Sequence, residues 1–427
     1  MDTQDLKDKM MKLWKTTFHD SDEYISLIFD NYFNTEYLEY YEENGKLISA
    51  LLGVPYFFGN GKQNIKGLYL CGLATLEEYR HRGIMDNLMR KINTKAYTDG
   101  VHITFLVPAS DILRKYYFGK GYSNSMYTVE DRYTDIHDFN NDYQSILSKE
   151  DERIIALKTR YYESLFVDKL EINNSEIVKE TIEYIKRYEE SGFKFFSLIH
   201  SGKDIAITFQ ENAISGGDIL VCRTPDNKIT GVAFITFDER KRIIIPKLYH
   251  DDNCSYFRLL DATKKKYPES SMSVKCYPEE TDRRILWSKV YGAANPDGGM
   301  LGGSYGVAER IYDVNRHAKP YGMSRILNYR EILKILTEWR KDCKFSILVK
   351  DVEEEGNYLK CDADSGITNF ETIPASEIDK WRHNSRYTIL KKQDLTEILF
   401  RKKDSNNLIM DALGIPRLTL NMSLLLD

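Results

Sequence analysis

Apolar positions in the first third of the chain recur in two rhythms. Over Asp5–Phe18 and Ser21–Phe33 they fall three and four apart, the spacing of one helix face, and Ser21 and Asp22 offer the second segment an N-terminal cap. Over Glu36–Glu42, Lys46–Phe58 and Gly67–Thr75 large apolar and aromatic residues alternate or run together, as in strands. Asn44-Gly45 between the first two is a hairpin signal, and Gly59-Asn60-Gly61 marks the next turn. Ile84, Leu88 and Ile92, with Met85 and Met89 beside them, restore the helical period, and that helix closes at Asp99-Gly100. Val101–Val107 reads as a strand, Asp111–Phe118 as a short helix, and Gly121-Tyr122 opens a further strand. The predicted order is therefore helix, helix, strand, strand, strand, helix, strand, helix, strand.

Past about Asp138 the pattern changes. Asp151–Asn173 and Ser175–Tyr188 are predicted helical, while Phe193–His200 and Asp204–Phe209 are predicted strands. Ile219–Cys222 and Ile229–Phe237 form a hairpin around Asp226-Asn227-Lys228, followed by a strand at Arg242–Tyr249, a helix at Phe257–Lys266 and a strand at Ser271–Tyr277. This succession is a degenerate repeat of the first domain. Arg242–Tyr249 stands for the strand ending at Thr75, the helix with Leu259 and Leu260 for the one starting at Ile84, and Asp282 to Gly292 echoes Asp111 to Gly121. A third region opens at Met323. Asn328 caps a helix carrying Ile332, Leu333, Ile335 and Leu336, strands follow at Phe345–Asp351, Tyr358–Ala363 and Gly366–Phe370, and helices at Ala375–Trp381 and Asp394–Phe400. The segment Arg417–Asp427 alternates and then turns wholly apolar, as a buried terminal strand would.

The chemistry concentrates between the strand ending at Thr75 and the helix starting at Ile84, at Arg80-His81-Arg82-Gly83. A strand feeding a short turn that opens a helix aims free backbone N–H groups at one spot, and the helix dipole adds positive potential there. Gly83 allows close approach of a phosphate to the main chain, and Arg80 and Arg82 can add charge-assisted hydrogen bonds. Against this stands an ordinary strand–turn–helix with solvated arginines. The turn resembles the Arg/Gln-x-x-Gly-x-Gly/Ala signature of GNAT acetyltransferases, which lies at the pyrophosphate of acetyl-CoA. The match covers Arg80 and Gly83 and departs at Met85, where that superfamily usually has a small residue. The resemblance implies a cofactor site of Leu73, Thr75, Arg80, His81, Arg82, Gly83, Ile84 and Met85, and the predicted element order is that of the GNAT fold.

Tyr117 lies four residues before Gly121, in a segment that resembles the superfamily's Tyr-x-x-x-Gly-Phe/Tyr, where many members keep a general acid. A phenol near pKa 10 is reasonably matched to a thiol near 8.5. The plain alternative is a packed aromatic among other tyrosines. In the second copy His250-Asp251-Asp252-Asn253 replaces the Arg80–Gly83 turn, and Ser288 takes the place of Tyr117. Adjacent carboxylates repel a pyrophosphate, so that copy reads as structural. His250 beside Asp251 and Asp252 lacks further ligands at metal spacing, and no metal is expected. The glycine-rich Gly298–Gly306 is not followed by Gly-Lys-Ser/Thr and reads as a connection. His19 reads as a surface loop residue.

Composition narrows the classes. The 427 residues suffice for two to four domains, and the net charge of −5, with both signs mixed throughout, argues against a nucleic-acid binder. There is no apolar run of membrane-spanning length and no basic-then-apolar leader at Met1–Leu6. The six cysteines are scattered without Cys-x-x-Cys, which suits a reducing cytoplasm and indicates neither a zinc site nor a disulfide framework.

The whole layout resembles the Eis (enhanced intracellular survival) family: an active GNAT domain, a GNAT-like domain without CoA chemistry and a C-terminal sterol-carrier-like domain. Arg325-Ile326-Leu327-Asn328, opening the last region, belongs to that resemblance. It implies an α/β (α+β) protein of tandem GNAT folds, with domains at 1–137, 138–318 and 319–427. It also implies an N-acetyltransferase acting on small multi-amine substrates such as aminoglycosides, and a homo-oligomer, commonly a hexamer. In that family the chain's own terminal carboxylate helps deprotonate the amine, which here points to Asp427; members often end in an aromatic residue instead. The expected reaction is direct attack of a neutral amine on the thioester, with a backbone N–H near Leu73 to Thr75 polarising the carbonyl and Tyr117 protonating the thiolate. Asp20, Asp22 and Glu23 are candidate attractors of a cation or plain surface acids. The alternatives are a non-enzymatic carrier of lipid and a protein-lysine acetyltransferase.

Overall fold

The computed structural model describes residues 2–133, 138–147, 151–191, 195–268, 270–278, 318–350, 356–401 and 413–422. They fall into two compact units. The first holds the N-terminal region, a short segment around 196–199 and the C-terminal region. Its helices α1 (Thr3–Phe18), α2 (Asp22–Tyr32), α3 (Ile84–Thr98) and α4 (Asp111–Phe118) alternate with strands β1 (Leu38–Glu43), β2 (Lys46–Gly59), β3 (Asn64–Thr75), β4 (Ile103–Leu106) and β5 (Ser123–Asn124). The sheet runs Leu420–Asn421, Phe196–Ile199, β2, β3, β4, Met323–Ile326, β5, with β1 added on β2. The strand at Met323–Ile326 thus lies in the first sheet, antiparallel to β4.

β2 is buried at successive positions rather than alternate ones, because α1 and α3 both pack on β2 and β3. α1 presents Leu6, Met10, Leu13 and Trp14, and α3 presents Leu88, Met89, Ile92 and Ala96. Each leucine, isoleucine or methionine among them, fully buried, contributes about 1.5–3 kcal/mol. β3 carries a bulge: Ala50 pairs Ala74 while Leu52 pairs Cys71, so Gly72 and Leu73 together face Leu51. Gly72 has φ +58, and a Cβ there would stand 2.3 Å from Cζ3 of Trp14, so only glycine fits. The C-terminal part of this unit also holds a four-stranded sheet of Ile367–Ile373, Tyr358–Asp364, Lys344–Lys350 and Thr388–Leu390. Asn328 caps the helix Tyr329–Trp339 by accepting the Glu331 N–H.

The sheet of the second unit includes, in order, Tyr127–Tyr133, Met272–Cys276, Ile243–His250, Ile229–Phe237, Asp218–Arg223 and Phe166–Lys169. Ile243–His250 leads into the helix Asn253–Lys266 and then into the parallel strand Met272–Cys276, just as β3 leads through α3 into the parallel β4. Two expectations are corrected here. Asp204–Phe209 is not a strand but lies within the helix Gly202–Ile214, where Ser201 and Asp204 form a reciprocal capping box that outweighs the β-branched residues. The helix predicted over Asp151–Asn173 ends at Ser164 and gives way to the strand Phe166–Lys169. The segments Asp282–Gly292, with Ser288, and Gly298–Gly306 lie outside the described residues, as does Asp427.

Candidate active site

The site is built where β3 and β4 part. They pair in parallel only from Gly67 with Ile103 to Tyr69 with Phe105. Among the described residues no strand pairs with this edge of β3 beyond Tyr69, so the stretch bearing Leu73 and Thr75 borders the opening. The carboxyl ends of neighbouring parallel strands are where open α/β sheets hold ligands. On its other side Thr75 is tied to β2, with its hydroxyl 2.8 Å from the Ser49 hydroxyl.

From Thr75 the chain makes a short 3-10 turn at Glu77–Tyr79 and reaches Arg80. His81 has φ +62 and Gly83 φ +73, so two of three consecutive residues are left-handed and the backbone curls tightly into α3. Gly83 is the N-cap of α3 and offers no side-chain cap. The first intrahelical bond runs from the Asn87 N–H to the Gly83 carbonyl, so the N–H groups of Ile84 and Met85 point out of the helix end. A Cβ built on Gly83 meets no atom within 4 Å. This is open space directly over an uncapped, positive helix end, and it fits a phosphate.

Arg80 and Arg82 flank that space, and both are exposed. Arg80 donates Nε–H to the Thr75 carbonyl at 3.2 Å. Arg82 donates Nη2–H to the Glu78 carbonyl at 2.8 Å, and its guanidinium lies 4.7 Å from the Tyr79 ring centroid. Among the described residues each guanidinium is held through one N–H, which leaves its other donors for an anion. His81 is exposed in the same turn. Ile84 and Met85 are half-buried, and Met85 packs with Leu73 and Tyr116 against the cluster formed by Leu88, Met89, Tyr117 and Tyr122. Leu73, Met85 and Tyr117, far apart in sequence, therefore belong to one core cluster.

Ser110 caps α4 by accepting the Leu113 N–H, which fixes the register that sends Tyr117 inward. The Tyr117 ring is 7% exposed and packs edge-on against Tyr116 and Tyr122, at 5.2 and 6.1 Å between centroids. Its hydroxyl takes no hydrogen-bond partner among the described residues. Burial, with Tyr122 adding, pushes its pKa up to about 12, above the value near 10 that the sequence alone suggests. The phenol is thus firmly protonated at neutral pH and has a proton to give. Asp86, in the first turn of α3, accepts hydrogen bonds from the Tyr116 hydroxyl and the Lys120 ammonium. Residue spacing gave no sign of this contact, because it joins side chains that only the tertiary fold brings together.

Several other candidates have ordinary structural work. Asp20 accepts the Trp14 Nε1–H at 2.7 Å, and Asp22 pairs with Lys15 at 2.5 Å. In the second unit Asp252 is the N-cap of the helix Asn253–Lys266 and accepts the Ser255 N–H at 2.8 Å. The helix end that corresponds to Gly83 is therefore closed by the chain's own carboxylate. Asp251 accepts from the Tyr184 hydroxyl at 3.1 Å, and His250 Nδ1 lies 3.1 Å from the Asp252 carbonyl oxygen. Among the described residues no group of three or more His, Cys, Asp or Glu side chains is placed to hold a metal ion, and no helix is long and apolar enough to cross a membrane.

Fold and turn together define a class. Residues 3–124 match the family described as Acetyltransferase (GNAT) domain. Residues 3–124 form a GNAT acetyltransferase domain, and such a domain implies N-acetyltransferase activity with acetyl-CoA as acyl donor. Solved structures extend the likeness over nearly the full length. A probable N-acyltransferase from Enterococcus faecalis V583 is 12% identical with a TM-score of 0.64, covering 98% of this chain and 96% of that one. A GCN5-related N-acetyltransferase from Kribbella flavida is 12% identical with a TM-score of 0.59, covering 99% and 97%. Eis1 from Mycobacterium abscessus is 10% identical with a TM-score of 0.60, covering 97% and 92%. At such identities the likeness is one of fold. No curated protein matches the sequence.

Proposed function

We propose that the protein transfers the acetyl group of acetyl-CoA to the amine of a small multi-amine substrate, at the end of α3. The observation that carries this reading is the uncapped Gly83 turn, flanked by Arg80 and Arg82 and opening the helix whose Met85 packs against the same core cluster as Tyr117. The N–H groups of Ile84 and Met85, with Arg80, His81 and Arg82, hold the pyrophosphate, and the edge of β3 at Leu73 and Thr75 lines the approach to the reacting carbonyl. Acetyl-CoA supplies the thioester. The amine nitrogen forms the new C–N bond as the C–S bond breaks, and the amine proton leaves to a carboxylate or to water. Tyr117 donates its O–H to the departing sulfur.

With the phenol at about 12 and a thiol near 8.5, complete proton transfer even to the free thiolate is uphill by roughly 5 kcal/mol. Tyr117 therefore acts as a hydrogen-bond donor while charge builds on sulfur, and the thiolate takes its proton as it leaves or from solvent afterwards. In the same reading the domains are 1–137, 138–318 and 319–427. The second, whose helix end Asp252 occupies, has no CoA chemistry, and the third is sterol-carrier-like. The protein is then a cytoplasmic homo-oligomer. The test is release of CoA thiol from acetyl-CoA, followed with a thiol reagent, on adding kanamycin, spermidine or a lysine peptide. Release with the small polyamines supports the reading. Release with the peptide alone moves it to protein lysine, and an apolar ligand co-purifying without acetyl-CoA binding moves it to a carrier.

A further inference from the structure

Among the described residues the Tyr117 hydroxyl has no hydrogen-bond partner to fix it, yet its reach to the departing sulfur must match the position of the pyrophosphate. Its neighbours supply that constraint. Tyr116 precedes it and packs edge-on against its ring at 5.2 Å. Lys120 donates its backbone N–H to the Tyr117 carbonyl at 2.9 Å, and Tyr122 donates to the same oxygen at 3.1 Å. The side chains of Tyr116 and Lys120 both end on one carboxylate, Asp86. Asp86 stands three residues after Gly83, in the first turn of the helix whose end receives the phosphate. The Lys120 carbonyl is held in turn by Arg325 Nη1 at 3.0 Å.

From this geometry we infer that Asp86 is a positioning residue: through Tyr116 and Lys120 it ties the end of α4 to the first turn of α3 and so sets the distance from the Tyr117 hydroxyl to the phosphate turn. The inference rests on the acetyltransferase reading of that turn and of Tyr117. A carboxylate this near the anion site works against phosphate binding, and the Lys120 ammonium offsets it. Burial would raise the Asp86 pKa, but the bonds from Lys120 and Tyr116 outweigh it and hold the carboxyl below its usual range, so it is ionised at neutral pH. Asp86 touches neither the reacting carbonyl nor the sulfur in this scheme and acts only through Tyr117. That gives it a signature distinct from a general loss of structure.

The experiment is a cycle of Asp86→Asn and Tyr117→Phe in the full chain, with kcat from CoA release and acetyl-CoA affinity from calorimetry. Asp86→Asn is expected to lower kcat about 10- to 100-fold, the scale of an ångström-sized misplacement, while acetyl-CoA affinity stays within threefold of the parent or tightens. In the Tyr117→Phe background the same change is expected to add less than a twofold loss, because the hydroxyl it positions is gone. Tyr116→Phe removes one arm and keeps the ring, so it is expected to show the same pattern at smaller amplitude; it decides the matter if Asp86→Asn does not fold. Unchanged turnover in both Asp86→Asn and Tyr116→Phe overturns the inference. So do equal losses of kcat with and without Tyr117, or a parallel fall in cofactor affinity. If Tyr117→Phe alone leaves turnover intact, the donor role of Tyr117 fails first, and the positioning role with it.

Discussion

Substituting Gly83 by alanine separates ligand binding from folding more cleanly than any other change at the site. Gly83 has φ +73, and its added Cβ would meet no protein atom within 4 Å. The cost to the fold is therefore limited to the left-handed backbone, about 1–2 kcal/mol for a non-glycine residue. The cost to binding is additional. The methyl group enters the space through which a phosphate approaches the N–H groups of Ile84 and Met85. A hydrogen bond to a charged group contributes about 1.5–3 kcal/mol, so losing one weakens CoA binding roughly 10- to 150-fold. Gly100 provides the control. It lies at the other end of α3 with φ +75 and the same empty surroundings, so Gly100→Ala carries the same backbone strain with no ligand nearby. Calorimetry with CoA, beside denaturant unfolding, should show similar stability losses in both variants and an affinity loss only in Gly83→Ala. Equal affinities in the two would refute the phosphate role of this turn.

Tyr117→Phe should lower kcat roughly 10- to 150-fold, the loss of one hydrogen bond to a charged group, with little change in acetyl-CoA affinity, because the hydroxyl matters only as the sulfur leaves; an equal loss in both, from steady-state rates and calorimetry, would contradict this. Because the Tyr117 pKa is raised to about 12, the protonated donor persists in the folded protein, and the pH–rate profile should show no loss from this group between pH 7 and 10. The same shift stabilises the fold fully below pH 10, where the unfolded tyrosine is also protonated, and that contribution disappears as pH rises through 12.

The sequence was most legible where a single residue punctuates the chain. α3 runs from Ile84 to Thr98 and α4 from Asp111 to Phe118, as their patterns predict, because Gly83, Gly100 and Ser110 mark the ends by backbone conformation or capping. The helix Gly202–Ile214 looks like a strand in sequence because Ile205, Ile207 and Phe209 alternate, although Ser201-x-x-Asp204 carries a capping signal. The place of Met323–Ile326 beside β4 could not be read, since nothing in four residues specifies a partner strand more than two hundred positions away. The phosphate turn depends on local conformation and could be read. The Asp86 contacts with Tyr116 and Lys120 span some thirty residues and depend on how α3 and α4 pack, so only the fold reveals them. The Tyr117 pKa likewise belongs to its burial, not to its spacing from Gly121.

The central claim is that one acetyl-CoA binds at the Gly83 end of α3 and none at the corresponding helix end in the second unit, where Asp252 caps its own helix. Titration calorimetry of CoA against the full chain, Arg80→Glu and Asn253→Glu tests it directly. The account predicts one site per chain, an affinity loss of at least tenfold in Arg80→Glu, where an attractive charge becomes a repulsive one, and no significant change in Asn253→Glu. Two sites per chain, or equal losses in the two variants, would contradict it.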